Sequence, residues 1–398
     1  MFRGRTVAVA AAIGFAALAV PGAANAQERE VRISGFGAMT GVVRSFGINS
    51  KAALEAAADQ INKAGGVKLG DGAKGKIVID FLDDRCTAEE GISVVRRIAS
   101  GNAIVAVGPT CSNVAEPLFG VLQKKAGDAS DTGLQFPVFT DVAIKGGLAK
   151  ISEWAFRNVP NEAQMYTTLF KWVKATRPEL KTVFGGVEED FAHSRATWHL
   201  VMKVVSAKEG YQVLGESKWL LNDTNFSNQA REAKKANADI IAIAAHPFTT
   251  CGMLKEMERQ GVKPKLVIGL TSSSSLETLQ GCAGQAEAII IPTSFAPVNP
   301  QAQAAAAAVA KFKGSLDLHS GAAWENVFIL KQVMEEQKVM AKPDTVQADR
   351  AKIRAGLAKL AETKGLLGIS KRTDDREAVK PYLFVHAKAG KWVVLHTP

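Results

Sequence analysis

The chain has 398 residues, 22% of them charged and 47% hydrophobic, and a formal net charge of +10. Its cations are interleaved with acids, as in Lys51 near Glu55, Arg231 near Glu232 and Lys255 near Glu256. That is the pattern of solvated helix faces, and it argues against nucleic-acid binding, which needs clustered cations with aromatics between them. A chain of this length exceeds what a single hydrophobic core serves, so two lobes are expected.

At the start, Arg3 and Arg5 precede an apolar run over 7–20, and Ala24-Asn25-Ala26 has the small-x-small form of a cleavage site. This reads as a secretory signal peptide cut after Ala26, leaving a protein free in the periplasm. The charge then falls from +10 to +8 as the two arginines leave. No later stretch approaches the roughly 20 apolar residues of a spanning helix, and no cysteine stands at the cleavage point to take a lipid.

From Val31 the pattern alternates. Strands are expected over 31–37, 76–82 and 103–107, with helices over 47–63 and 88–99 between them. In the stretch AIVAVGPTCSN at 103–113 the apolar run stops at Gly108-Pro109 and a polar corner begins a helix over 114–125. Ser112 or Asn113 sits where an N-cap belongs, and Val114, Leu118, Val121 and Leu122 have helical spacing. Such a corner aims backbone N–H groups and a positive dipole end at whatever lies above the strand, which suits a carboxylate or phosphate. A further strand is expected over 136–140.

After 154–159 the alternation restarts, with helices over 163–175, 192–208, 228–237 and 250–260. The strands between and beyond them cover 181–187, 212–216, 239–245, 265–270 and 286–291. Helices over 301–313, 322–337 and 347–361 follow, and 381–386 with 391–395 close as a hairpin around Lys388-Ala389-Gly390. Helical crossovers between strands imply α/β lobes, each a doubly wound, mostly parallel sheet.

Four cysteines in an exported chain suggest two disulfides, with three possible connectivities. Cys86 and Cys111 follow consecutive strands joined by one helix, so their loops should be neighbours and they are paired. Cys251 and Cys282 then pair by elimination, or remain two free thiols.

No catalytic constellation emerges. Gly35-Phe36-Gly37 with Gly41 has the wrong spacing for a dinucleotide loop. His193, His199 and His246 lack metal-ligand spacing, and Ser272 to Ser275 have no nucleophile-elbow frame. The chain reads as a binding protein rather than an enzyme, with no cofactor and no metal. His246 is open to two readings, a ligand contact or a hydrogen-bonded structural residue.

The order VRISGFGAMTG, a helix ending INKAGG, IDFLDDRC, a helix, and VAVGPTCSN closely resembles the leucine/isoleucine/valine-binding type of periplasmic solute-binding protein, which serves ABC importers. FRNVPN, GGVEEDFAHS, ADIIAIAAHPF, KLVIGLTSSS and the region of Trp324 agree, so the resemblance spans the mature chain. It implies a two-lobed type I periplasmic-binding-protein fold with three hinge crossovers, expected near 157–159, 292–294 and 365–369. The first lobe would comprise 27–156 and 294–367, the second 157–293 and 368–398. Both cysteine pairs then stay within a lobe, the first beside the ligand.

The resemblance implies a site as well. Ser112 matches the serine that holds the ligand carboxylate, Asn113 caps the same helix, and Thr140 ends the next strand. Val142 and Ile144 fall where the family offers backbone groups to the ligand. Phe46 and Phe191 fall at aromatic positions of the pocket, and His246 or Pro247 at a third. Thr271 falls where the amino-acid binders have the acid that neutralises the ligand ammonium, and it cannot supply that charge. Either Glu188, Glu189 or Asp190 takes the role, or the ligand is an aromatic or aliphatic acid without an ammonium. The implied partners are a small carboxylate, branched-chain amino acid or such an acid, and an ABC permease in the inner membrane, the protein acting as a monomer. A sensory binding protein that uses the same lobe closure is the alternative.

Overall fold

Two sheets take up most of the strands. The computed structural model describes residues 28–398 together with Met1, Phe2 and Gly4, and the expected apolar run and cleavage site lie outside the described residues. The first half runs β1 (Glu28–Gly37), α1 (Arg44–Lys63), β2 (Val67–Lys68), β3 (Lys74–Asp83), α2 (Ala88–Ser100), β4 (Val105–Val107), α3 (Ser112–Gly120), β5 (Val138–Thr140) and β6 (Ala155–Arg157). These strands order β2-β3-β1-β4-β5-β6, parallel except at the short β2 edge. The chain continues through α4 (Glu162–Thr176), β7 (Thr182–Glu188), α5 (Ala192–Ala196), a π-helical stretch Thr197–Met202, α6 (Lys203–Lys208), β8 (Gln212–Trp219) and α7 (Ser227–Ala236). Then come β9 (Ile240–Ala244), α8 (Pro247–Arg259), β10 (Leu266–Gly269), α9 (Leu276–Cys282) and β11 (Ile289–Thr293).

Three helices follow, α10 (Pro300–Lys311), α11 (Leu318–Glu336) and α12 (Val346–Lys359). A small third sheet holds β12 (Glu362–Gly365), β13 (Gly368–Arg372) and β14 (Ala378–Val379), before β15 (Leu383–Lys388) and β16 (Lys391–His396) close the chain. The second sheet orders β16-β15-β11-β10-β9-β7-β8, and only β15 runs against the others, antiparallel to both β11 and β16. Both lobes are thus α/β, doubly wound and mostly parallel, with apolar helix faces covering each side of each sheet. One core of the first lobe joins Ile33, Leu54, Val327 and Leu330, drawing α11 back onto α1 and β1. The other joins Phe36, Val95, Val114 and Leu118 on the opposite face.

The corner after β4 differs from its sequence reading. Cys111, not Ser112 or Asn113, is the N-cap residue, extended at φ −111° and without a side-chain cap bond. Its disulfide to Cys86 holds it at the helix start, with the two Cα atoms 5.6 Å apart. Gly108, at φ +134°, brings its backbone so close to the Phe36 carbonyl that a Cβ would stand 2.2 Å from it, a place only glycine can fill. α3 also stops at Gly120 rather than 125, because Leu122 bridges to Leu134 and the Gln123 N–H turns to the Leu134 carbonyl. Cys251 and Cys282, with Cα atoms 5.3 Å apart, link α8 to α9.

Three chain passages join the lobes, and the last comes later than 365–369. Those residues form the turn from β12 into β13, and Arg376 of the same small sheet donates to the Ala149, Ser152 and Ala155 carbonyls of the first lobe. The chain enters the second sheet only at Leu383. Buried charges gather where it leaves. Glu325 on α11 is ion-paired with Lys380 and accepts from the Asn158 amide at 3.0 Å and the Leu366 N–H at 2.7 Å. Arg157 is ion-paired with Glu377 and donates to the Ala143 and Ile144 carbonyls at 3.2 and 2.8 Å. Lys380→Met would leave the Glu325 carboxylate buried without its ammonium, a loss of about 3 kcal/mol or more. Urea unfolding should show that loss, and the double variant with Glu325→Leu should recover part of it.

Candidate functional site

The lobes face each other across a seam of aromatic and imidazole rings. Phe46, in the first turn of α1, lies 5.8 Å from the His246 ring and 5.2 Å from the His319 ring. Phe191 lies 4.2 Å and His193 5.7 Å from the same His246 ring. Phe46 is set there by Gly47, where a Cβ would meet the Ala38 carbonyl at 2.1 Å, so α1 starts against the loop after β1. His246 stands at the N-cap position of α8 after β9, without a side-chain cap bond. Phe46, Phe191 and His246, named separately from the sequence, therefore form one lining drawn from both lobes. All three are buried.

Hydrogen bonds cross this seam directly. The Asn113 side chain accepts from the Ala192 N–H at 2.6 Å and donates to the Asp190 carbonyl at 3.4 Å, so it joins the lobes rather than capping α3. Ser272 Oγ in the second lobe meets His319 Nε2 in the first at 3.1 Å. Ser112 Oγ accepts from the Lys145 N–H at 3.2 Å, and its own proton remains to donate. The Thr140 hydroxyl is committed within its loop, donating to the Pro109 carbonyl at 2.8 Å and accepting from the Ala143 N–H at 3.3 Å. Val142 and Ile144 are buried there. The Ile144 carbonyl already accepts from Arg157 at 2.8 Å.

Thr271 proves to stand beside an acid. Its hydroxyl donates to Glu162, which comes from the first turn of α4 and also accepts from Thr197 at 2.6 Å and meets His193 Nε2 at 2.9 Å. Burial would raise the Glu162 carboxyl, but His193 and the hydroxyl donors outweigh it and hold it below the usual range. Of the three acids considered at 188–190, only Glu188 is buried in the lining. It accepts from the His246 N–H at 2.6 Å and from Thr249, and meets His246 Nδ1 at 2.7 Å. Burial is again outweighed by His246 and these donors, so Glu188 too is held low. Glu189 turns outward to His199 and Lys218, and Asp190 accepts from the Leu221 N–H.

His319 and Glu162 were missed. The helix carrying His319 was expected to begin at 322, yet α11 starts four residues earlier because the Asp317 side chain accepts from the His319 and Ser320 N–H groups. An Asp-x-x-Ser pattern at 317–320 was the available signal. Glu162 follows the Asn161 N-cap of α4, and nothing local marks it as part of the lining.

A cavity of about 700 Å³ opens beside the lining, between α1 of the first lobe and α8 with α9 of the second. Val43, Phe46, Phe226, His246, Phe248 and Cys251 contribute to its mostly apolar wall. Among the described residues, only Glu189, His199 and Glu216 bring ligand atoms close enough together for a metal ion. Lys203 and Lys218 already pair with those carboxylates. None of the described helices is long and apolar enough to cross a membrane.

The sequence profile described as "periplasmic binding protein" matches residues 30–391. The chain belongs to that family. Among curated relatives, a Leu/Ile/Val-binding protein homolog 3 of Brucella melitensis biotype 1 is 26% identical over 273 residues, covering 68% of this chain and 67% of the relative. Among solved structures, the branched-chain amino acid transporter substrate-binding protein LivJ of Streptococcus pneumoniae, in complex with isoleucine, superposes with a TM-score of 0.77 at 18% identity, covering 92% of this chain and all of that one. A solute-binding protein of R. palustris in complex with 4-hydroxybenzoate gives 0.76 at 17% identity, covering 92% and 96%. The two structures share the fold with this binding protein, and at such identity they speak to the fold alone.

Below α1 the family member carries an acid the seam does not use. Asp141 is fully buried, accepts from Ser50 at 2.5 Å and has an unpartnered Oδ1. Burial, with Asp317 nearby, pushes its carboxyl up to about 7. The stability associated with a raised carboxyl is present below the unfolded pKa near 4 and lost as pH rises through about 7. Asp141→Asn should therefore raise the thermal midpoint by a few degrees at pH 8 and change it little at pH 4. Calorimetry at the two pH values checks this.

Proposed function

We propose that the protein is the exported substrate-binding component of an ABC importer, capturing a small carboxylate with a hydrophobic or aromatic body between its lobes. One observation carries the reading: Phe46 from one lobe and Phe191 and His246 from the other form a single buried lining beside an apolar cavity of about 700 Å³. Cavities of that size and character hold small organic ligands, with a few polar groups fixing their orientation. The family resemblance assigns the carboxylate to Ser112, which stands outside the cavity wall itself, next to the first N–H groups of α3, which have no intrahelical acceptor.

Isoleucine in LivJ and 4-hydroxybenzoate in the R. palustris protein are both carboxylates, which supports the shared head group. The mechanism is a population shift: a ligand held by one lobe gains contacts from the other only when the lobes meet, and the closed form is what a permease reads. The protein acts as a monomer with its two lobes as the moving parts.

A thermal-shift panel on the purified mature protein, comparing branched-chain amino acids with benzoate-like and phenylpropenoid acids, tests the reading. Ligand at 100 times its dissociation constant adds about 2.7 kcal/mol, and at least one acid should move the midpoint by a few degrees. Ser112→Ala should weaken that acid by roughly 1.5–3 kcal/mol, the worth of a hydrogen bond to a charged group. Unchanged affinity would place the carboxylate elsewhere. Small-angle scattering should show compaction with the bound acid, and Asn113→Ala should reduce it by removing a bond between the lobes.

A further inference from the structure

A chain of four side chains runs through the seam from the second lobe to the first. Glu162 Oε1 meets His193 Nε2 at 2.9 Å, His193 Nδ1 meets Ser272 Oγ at 3.2 Å, and Ser272 Oγ meets His319 Nε2 at 3.1 Å. All four residues are buried. At the far end His319 Nδ1 is buried without a hydrogen-bond partner, and the Phe46 ring of the cavity wall stands edge-on to the same imidazole.

The direction of each bond follows from the first. Glu162 faces His193 and accepts from Thr197 and Thr271, and His193 together with those donors holds it ionised against its burial. An ionised carboxylate has no proton to give, so His193 Nε2 carries one. Burial depresses the His193 pKa, so the ring is neutral and its Nδ1 offers a lone pair. Ser272 has a single hydroxyl proton, which goes to that lone pair, and its oxygen then accepts from His319. His319 Nε2 therefore carries a proton. Burial, with His193 and His246 nearby, drives the His319 pKa well below its ordinary value, so this ring is neutral too and its unpartnered Nδ1 is an acceptor.

We propose that His319 is a specificity-determining residue of the cleft, its Nδ1 accepting a hydrogen bond from a hydroxyl or ammonium group of the ligand. This rests on the reading of the seam as the ligand site. The protein then prefers acids that bear such a donor over the same acids without one, because the plain acid leaves a buried acceptor unanswered. Loss of one buried partner corresponds to on the order of ten- to a hundredfold in affinity. Glu162, His193 and Ser272 act as positioning residues, since they select the tautomer that His319 presents. Because Ser272 and His319 come from different lobes, the acceptor is oriented only when the lobes are together.

Titration calorimetry on the mature protein tests this with two matched series. The aliphatic series is 4-methylpentanoate, 2-hydroxy-4-methylpentanoate and leucine; the aromatic series is benzoate and its hydroxyl and aminomethyl derivatives at each ring position. The best donor-bearing acid should exceed its parent at least tenfold, and whether hydroxyl or ammonium wins identifies the donor. In His319→Phe that ratio should collapse. Ser272→Ala, a smaller change, should also reduce it by freeing His319 to present Nδ1–H. Acids that bind with no donor preference, or a preference surviving in both variants, would overturn the proposal while leaving the carboxylate reading intact. If 4-hydroxybenzyl alcohol binds as well as 4-hydroxybenzoate and the His319→Phe ratio still collapses, the carboxylate reading fails and the donor preference stands. Independently of ligand, nitrogen-15 spectra at pH 7 should show His319 as the neutral Nε2–H tautomer, and the Nδ1–H form would overturn the assignment.

Discussion

A polar group buried without a hydrogen-bond partner costs roughly 1–3 kcal/mol, and the facing ends of the two lobes carry several. Ser272 in one lobe and His319 in the other answer each other, and the Ala192 N–H is answered by Asn113. Apart, these groups would belong to water. Together, each must find its counterpart, so the meeting of the lobes is specified by a few directional bonds as well as by the apolar rings around them. The groups that shape the lining are held from behind. Glu162 and Glu188 hold two imidazoles, and Thr140 with Arg157 holds the loop that carries Val142 and Ile144.

The seam and the chain passages use different chemistry. Direct bonds across the seam join neutral groups: hydroxyl, imidazole, amide and backbone N–H. The region around the passages uses charges, with Arg157 on Glu377 and Lys380 on Glu325. Desolvating an ion is far more costly than desolvating an amide or a hydroxyl. Under the proposed closure over a ligand, a surface that must meet and part is better made of neutral groups. A buried ion pair suits a place that stays dry, where losing one partner would be strongly destabilising.

Much of this was legible in the chain. The alternation of apolar strands and amphipathic helices implied two doubly wound sheets, and consecutive strands ending at Cys86 and Cys111 implied their pairing. His246 was open to a ligand role from the chain itself, but Phe46 and Phe191, and the grouping of the three, were readable only through the resemblance to the leucine/isoleucine/valine-binding proteins, since no spacing within the chain connects positions so far apart. The cap of α3 was misread because serine and asparagine are good caps by type. The disulfide at Cys111 instead fixes the helix start one residue earlier and leaves their side chains for Lys145 and Ala192.

By itself, then, the sequence determined the class of fold and the division into two lobes, because periodicity and turn chemistry are local and repeat along the chain. Only the tertiary structure decided which polar atoms in the cleft remain free. Glu162 and His319 are separated by most of the second lobe in sequence, yet three hydrogen bonds connect them in space. Whether a ring nitrogen offers a proton or a lone pair depends on what its other nitrogen meets, and that partner is chosen by packing, not by neighbours in the chain.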